Sequence, residues 1–196
     1  MAAFRHETAR LVLRDWREGD EGQADWDEQF RITNTAPVMR WLGGVMDAEK
    51  LAQQVARVET CRAANEFCFW VVERRDDGGH LAGEMLGMCG LKRADAPGST
   101  VTGSMEVGWR FREDAWGYGY AKEAASAALH LAFTRFGAEQ VVALTVDGNA
   151  PSWGLMERLG MQRRAELDYE DVRYDAALNP TIVYAITAEQ WSAAQP

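Results

Sequence analysis

The stretch Phe111-Arg112-Glu113-Asp114-Ala115-Trp116-Gly117-Tyr118-Gly119-Tyr120-Ala121 decides how the rest of the chain is interpreted. An alternating apolar segment precedes it and an alanine-rich segment follows it, which predicts a strand, a glycine turn and a helix. Gly117 and Gly119 carry no Cβ and can adopt positive φ, so a ligand can approach their backbone. The amides that open the helix would favour an anion such as pyrophosphate. A connection that simply requires glycines explains the same spacing, and both interpretations stay open here.

The segments on either side of this turn extend the prediction. Residues 105–111 alternate between apolar and polar, which predicts a strand with Glu106 and Arg110 on one face and a bulge at Gly108 between them. A helix over about 118–136 is expected to end at Gly137. Residues 141–146 form a nearly continuous β run, typical of a strand buried on both faces, and a helix begins near Pro151.

The rest of the chain predicts further alternation of helices and strands. Strands are expected at 10–16, 67–73, 80–91, 164–169 and 181–186, with a hairpin turn at Asp76-Asp77-Gly78-Gly79. Helices are expected over 21–33, capped by Asp20, and from Asp47 to about Ala64. No repeat or linker interrupts this pattern, so we predict an α+β fold and one domain over residues 1–196.

Composition limits the classes of function. The 196 residues carry a net charge of −9, which argues against nucleic acid or an anionic membrane as the main partner and suits an amine. The three cysteines form no CxxC pair, and the three histidines are scattered, so no metal is expected. The first residues lack the apolar core of a signal peptide, and no apolar run approaches the roughly 20 residues of a membrane span. A cytoplasmic location is therefore expected.

Three segments, in this order and spacing, resemble the GNAT superfamily of acetyl-coenzyme A-dependent N-acetyltransferases. They are Glu106-Val-Gly-Trp-Arg-Phe, Trp116-Gly-Tyr-Gly-Tyr-Ala-Lys-Glu-Ala-Ala125 and Asn149-Ala-Pro-Ser-Trp-Gly-Leu-Met-Glu-Arg-Leu-Gly-Met161. The segments Thr8–Arg14, Pro37–Gly44 and Met88–Leu91 are similar to the RimJ/RimL-like branch of that superfamily.

This resemblance implies a mixed, centrally splayed sheet flanked by helices, and acetyl-CoA as co-substrate. The pyrophosphate loop of the family maps onto Trp116, Gly119 and Ala121, with Gly117, Tyr118 and Tyr120 inside it. Trp116 stands where the family usually has Gln or Arg. The resemblance therefore implies contacts to phosphate from the backbone amides of the loop, but none from this side chain. The family's strand that pairs with the pantetheine arm implicates Val107, Trp109 and Phe111. By the same analogy, Asn149 and Ser152 bind the far part of the cofactor.

The implied reaction needs few catalytic side chains, because a neutral amine can attack the thioester directly. Many family members carry a tyrosine that protonates the leaving thiolate, but this sequence has Met156 there. Either Ser152 fills that role, or no acid is needed because a thiol with a pKa near 8.5 already leaves readily. Glu106 is the candidate base, and a cross-strand ion pair is its alternative role. A backbone N–H near Gly108 and Trp109 could stabilise the developing oxyanion.

The acceptor is predicted only by class, as a primary amine on a protein N-terminus or a small molecule. Trp41 is the candidate for the acceptor pocket, and Asp168 and Glu170 form an acidic group that either attracts amines or is a solvated turn. A homodimer is left open. An acyl-CoA-binding module without turnover is the alternative, motivated by Met156. An oxidoreductase is disfavoured, because Lys122 stands where the dinucleotide fingerprint needs a third glycine.

Overall fold

The computed structural model describes residues 3–194. Its strands are β1 (Arg5–Glu7), β2 (Leu11–Arg14), β3 (Phe69–Arg74), β4 (Met85–Arg93), β5 (Met105–Phe111), β6 (Gln140–Val146), β7 (Gln162–Arg163) and β8 (Thr181–Thr187). Its α-helices are α1 (Gly19–Thr33), α2 (Ala36–Met39), α3 (Ala48–Ala64), α4 (Tyr120–Thr134), α5 (Ala150–Arg158) and α6 (Ala188–Ala193). Short 3-10 turns lie at Glu113–Ala115, Ala165–Leu167 and Ala176–Leu178.

The strands form one mixed sheet in the order β1-β2-β3-β4-β5-β6-β8-β7. The β5–β6 pair is parallel and the other neighbours are antiparallel. A parallel pair needs a crossover connection, and α4 supplies it. The small residues along α4 let it pack closely on β2, β4 and β5. The predicted α+β fold is confirmed.

Helices cover both faces of the sheet, because successive side chains of a strand point to opposite sides. On β3, Trp70 and Val72 pack in the cluster that contains α4, whereas Val71 packs with Trp26 of α1 and Val58 of α3. Within residues 3–194, no helix is both long and apolar enough to cross a bilayer.

The sheet opens between β5 and β6. Their parallel pairing is confined to Met105↔Val141 and Glu106↔Val142, after which the two strands diverge. The bulge expected at Gly108 is absent, because the β4–β5 register runs unbroken through that position. Glycine is needed there for another reason: a Cβ would lie 2.9 Å from the Phe69 ring. The register shift that does occur lies between Val72 and Glu73.

Several predicted ends of elements move in the structure. Asp47 caps α3 as predicted, accepting from the Lys50 amide at 2.9 Å. Asp20 does not cap α1, because that helix begins at Gly19, two residues earlier than predicted, and Glu18 is its N-cap. The strand expected at 164–169 is replaced by β7 and a 3-10 turn, and the expected strand at 80–91 begins only at Met85.

Candidate functional site

The turn before α4 has the backbone conformation that its glycines predict. Gly117 and Gly119 have φ values of +82° and +80°, in the left-handed region that favours glycine. Gly119 is the N-cap of α4, and no side chain among residues 3–194 caps this end. The first amides of α4 therefore remain free donors at the positive end of the helix dipole. Free amides at this position can donate to an anion, and the pyrophosphate site expected at this turn stays a prediction.

An arginine that sequence reasoning missed borders the turn. Arg10 donates from Nη1 to the carbonyl of Tyr118 at 3.0 Å, and Glu123 holds its Nε at 2.7 Å. Its guanidinium would lie 3.4 Å from a Cβ on Gly119. The only signal in the sequence was its place in the Thr8–Arg14 segment, more than 100 residues from the turn. Arg10 places guanidinium donors beside the turn, where Trp116 has none, and its charge is balanced by Glu123.

The remaining side chains of the turn serve its structure. The indole of Trp116 donates to the Phe111 carbonyl at 3.1 Å and so folds back onto the end of β5. Tyr118 is half exposed and stacks on His80, with ring centroids 3.9 Å apart. Tyr120 is buried, and Arg74 donates to its hydroxyl at 3.3 Å. Tyr120 and the half-buried Ala121 therefore offer a ligand their amides.

The backbone of β5 presents unpaired groups to the opening in the sheet. Ala94 donates to Ser104 and Arg112 donates to Leu86, so even-numbered residues along β5 exchange hydrogen bonds with β4. The main-chain N–H and C=O groups of the odd-numbered residues therefore point toward β6. Since the β6 ladder ends at Glu106, no described residue of β6 pairs with Trp109 or Phe111. The carbonyl of Val107 and both main-chain groups of Trp109 border the gap, as an extended ligand in this position would require.

The turn between β6 and α5 lies on the other side of the gap. Asn149 is the N-cap of α5, and its Nδ2 donates to Oγ1 of Thr145 at 3.1 Å. Ser152 is half buried in the first turn of the helix. Met156 is 1% exposed and packs in the core next to Leu155 and Leu159. Met156 is therefore a core residue, and its thioether has no proton to donate.

Glu106 forms the cross-strand ion pair that was its alternative role. Its Oε2 lies 3.2 Å from Nζ of Lys92, its register partner on β4, and Lys92 also contacts Asp95 at 2.7 Å. Burial raises the pKa of Glu106 above its ordinary value of 4.5, and the Lys92 ammonium offsets only part of that rise. The carboxylate thus has a pKa displaced toward neutrality, as a general base requires, and its catalytic role stays a prediction.

The apolar loop after α2 closes one end of the opening. The ring of Trp41 would lie 2.7 Å from a Cβ on Gly148, so it rests against the turn that carries Asn149. Gly43 would place a Cβ 3.0 Å from the Tyr174 ring. Trp41 therefore lies at the mouth of the gap, where an acceptor pocket was expected, and its contact with an acceptor stays a prediction.

The acidic group before β8 has mixed surroundings. Asp168 pairs with Arg163 of the edge strand β7 at 2.7 Å and accepts from the Val183 amide at 3.1 Å. Glu170 is exposed. Asp168 therefore stabilises the edge of the sheet. A substrate role for Asp168 or Glu170 stays a prediction. Within residues 3–194, no group of three or more His, Cys, Asp or Glu side chains could hold a metal ion.

Comparison with protein families matches residues 10–162 to the acetyltransferase (GNAT) domain. The chain belongs to the GNAT family. The GNAT relatives use acetyl-CoA, and this chain is an acetyltransferase. It is 30% identical over 130 residues to "Uncharacterized protein YkkB" of Bacillus subtilis (strain 168), covering 66% of this chain and 71% of the relative. It is 26% identical over 163 residues to "Uncharacterized N-acetyltransferase YnaD" of the same strain, covering 80% and 81%.

Solved structures share the fold of this GNAT enzyme. An acetyltransferase from Agrobacterium tumefaciens str. C58 superposes with a TM-score of 0.73 at 20% identity, covering 95% of each chain. The ribosomal-protein-S5-alanine acetyltransferase from Vibrio fischeri superposes with a TM-score of 0.66 at 14% identity, covering 98% of this chain and 100% of that one. Both likenesses concern the arrangement of helices and strands.

Proposed function

We propose that this GNAT enzyme transfers the acetyl group of acetyl-CoA to a primary amine by direct attack of the amine on the thioester. One observation carries the proposal: the gap between β5 and β6 begins beside Glu106 and leads to the amide-rich turn at Gly119. An extended arm bound along β5 would end its pyrophosphate at that turn and its thioester near Trp109.

In this proposal, acetyl-CoA supplies an acetyl group activated as a thioester, and the chain orients it. The Trp109 amide is the donor for the developing oxyanion, since the Gly108 amide faces β4. The new C–N bond replaces the C–S bond, and thiol is released. Glu106 accepts the amine proton directly or through water, and Ser152 is the proton donor to the thiolate where one is needed.

The proposed enzyme has an acceptor of a definite class and acts in the cytoplasm. We infer a RimJ/RimL-like enzyme whose acceptor is a protein N-terminus or a small amine, which a similar fold in a ribosomal-protein-alanine acetyltransferase supports. Trp41 and the acidic pair Asp168 and Glu170 are its proposed acceptor contacts. The three cysteines are free, which suits the reducing cytoplasm. One GNAT domain over residues 1–196 performs the reaction.

A thermal-shift screen followed by turnover tests this function. A ligand that binds only the folded state raises the melting temperature. We expect acetyl-CoA and CoA to raise it and NAD and FAD to leave it unchanged. Thiol release in a panel of primary amines then measures turnover. Stabilisation by acetyl-CoA without thiol release from any amine would favour the alternative, an acyl-CoA-binding module whose leaving-group acid is missing at Met156.

A further inference from the structure

Arg110 is a half-buried cation that no carboxylate among residues 3–194 neutralises. Its side chain lies on the same face of β5 as that of Glu106, the face that points away from α4. Its Nη1 donates to Oε1 of Gln54 at 3.1 Å. Its Nε is shielded from solvent and has no hydrogen-bond partner among residues 3–194. No ion pair within 4.0 Å joins Arg110 to any described acidic side chain. The guanidinium therefore keeps an unused donor edge in a water-poor place.

Three other arginines that are largely shielded from solvent are paired with carboxylates. Arg14, Arg74 and Arg112 have side-chain exposures of 12%, 6% and 13%, and each contacts at least one carboxylate within 3 Å. These pairs offset the cost of removing a guanidinium from water. Arg110 bears the same cost without that compensation, so the folded chain retains an unfavourable group. Unfavourable groups of this kind are commonly retained at binding sites.

The protonation state of Arg110 is compatible with anion binding. Burial lowers the pKa of Arg110 to about 10, and the neighbouring Tyr174 opposes that change. The side chain is therefore charged at neutral pH. An unpaired charge that is partly shielded from solvent attracts an anion more than a fully exposed one does, because less solvent screens the interaction.

Arg110 lies near the gap, on the side where the acceptor is proposed to enter. It directly follows Trp109, whose backbone borders the gap. Gln54 of α3 accepts its hydrogen bond, and Tyr174 is near enough to favour its charged form. Tyr174 in turn contacts the loop at Gly43 that carries Trp41 to the mouth of the gap. The arginine thus lies on the side of β5 away from α4, the side left for the acceptor when the coenzyme turn at α4 is occupied.

We propose that Arg110 binds a carboxylate of the acetyl acceptor, so that the substrate class is an amine that also carries a carboxylate. The inference rests on the proposed function and narrows it. Gln54 holds Nη1 and leaves the edge formed by Nε and Nη2 for a bidentate contact, the geometry that suits a planar carboxylate. One unpaired guanidinium matches one negative charge, whereas a phosphate would require further cations. The carboxylate can belong to a free amino acid or to an acidic peptide side chain.

Matched acceptors separate these sources and test the proposal. One arm compares free L-amino acids with their amides, and a second compares Ala-Asp and Ala-Glu peptides with Ala-Asn and Ala-Gln peptides. We expect the acid of a pair to have a kcat/KM about 10- to 100-fold higher, the effect of a hydrogen bond between charged groups. The arm that shows this preference identifies the source of the carboxylate.

Two variants assign that preference to Arg110. Arg110→Met should remove the preference for acids and leave the amides and the acetyl-CoA thermal shift unchanged. Gln54→Glu places an internal carboxylate beside Nη1 and should abolish the same preference while keeping the arginine and the fold. Arg62→Met is the matched control, because Arg62 is a half-buried arginine remote from the gap that donates to the Trp16 carbonyl at 3.4 Å. It should keep the preference.

The outcomes are separable from those of the proposed function. A failure of acetyl-CoA to stabilise the protein would reject the proposed function itself. Stabilisation by acetyl-CoA with equal use of acids and amides would reject only the carboxylate site. An acid preference that survives in both Arg110→Met and Gln54→Glu would also reject it. If turnover is slow with every acceptor, binding of N-acetylated acids and amides in the presence of CoA gives the same comparison.

Discussion

At the scale of single residues, Glu106 combines two properties that a sequence treats as alternatives. It is paired with Lys92 across the strands, and it remains a buried carboxylate with a raised pKa beside the gap. An ion pair of this kind does not exclude base catalysis, because the lysine holds the carboxylate in place.

Glu106→Gln should lower kcat about 100-fold with little change in acetyl-CoA affinity, because the amide cannot accept the amine proton. A base acts only when deprotonated, so the wild-type rate should fall as the pH decreases through the raised pKa of Glu106. That acidic limb of the pH profile should disappear in the Glu106→Gln variant.

Lys92→Met should move the acidic limb of the pH profile to higher pH, since it removes the positive charge that lowers the pKa of Glu106. Steady-state rates across pH measure both effects, and an unchanged rate in Glu106→Gln would remove it as base.

Gly119→Val should abolish acetyl-CoA binding, because a branched side chain enters the coenzyme turn next to Arg10. Gly137→Val is the matched control: Gly137 also has positive φ, at +63°, and lies beyond the other end of α4. Both substitutions should cost about 1–2 kcal/mol of stability through backbone strain, but only the first should change affinity. Calorimetric titration with acetyl-CoA distinguishes them, and normal affinity in a folded Gly119→Val protein would contradict the location of the site.

Residue positions could be predicted from sequence only where a local pattern exists. The two glycines and the alternation through Val107, Trp109 and Phe111 are local patterns, and the structure arranges them as expected. Arg10 and Arg110 depend on contacts with Tyr118 and Gln54, which are 108 and 56 residues away in the chain. Nothing near either arginine in the sequence indicates its partner.

At the scale of elements, the structure of β5 depends on the neighbouring strands. Its own residues predicted a strand correctly, but they predicted a bulge at Gly108 where the structure has a regular ladder. A glycine in a strand signals either a bulge or a close approach, and only the position of Phe69 shows which. Similarly, β1 was missed, since Arg5–Glu7 is polar and short and its pairing with β2 is not visible locally.

Gly108→Ala should destabilise the protein by about 1–3 kcal/mol, because the added methyl group would lie 2.9 Å from the Phe69 ring. Adding Phe69→Leu should recover part of that loss by removing the ring. Urea denaturation of the two single variants and the double variant measures the coupling. Additive effects would show that the ring is not the reason for glycine.

At the scale of the whole molecule, a buried ionic network joins β2, α1 and β3. Asp25 is fully buried, Arg14 donates to it at 2.7 Å and to Glu73 at 2.6 Å, and Arg17 donates to Asp25 at 2.5 Å. Burial alone would raise the pKa of Asp25, but the two arginines lower it to about 2. The network therefore favours the ionised form in the folded state.

Stability should depend on pH through this network. A lowered pKa in the folded state stabilises the protein above the unfolded value of 3.8, and that contribution is lost as the pH falls from about 4 to about 2. It amounts to about 2 kcal/mol. Asp25→Asn should cost about 3 kcal/mol at pH 7 and flatten this dependence. Asp27→Asn, an exposed position on the same helix, is the control. Urea denaturation at pH 7 and pH 3 checks the prediction, which equal losses at both pH values would contradict.

The early separation of β5 from β6 has a consequence for protein engineering. The segment after residue 138 joins the remainder of the sheet through two register pairs, so a coenzyme lying in the gap would add a large share of the contacts between the two parts. We expect a chain divided between α4 and β6 to reassemble from its two fragments more completely when acetyl-CoA is supplied. Fusing each fragment to half of a fluorescent reporter would turn that complementation into an intracellular sensor of the acetyl donor.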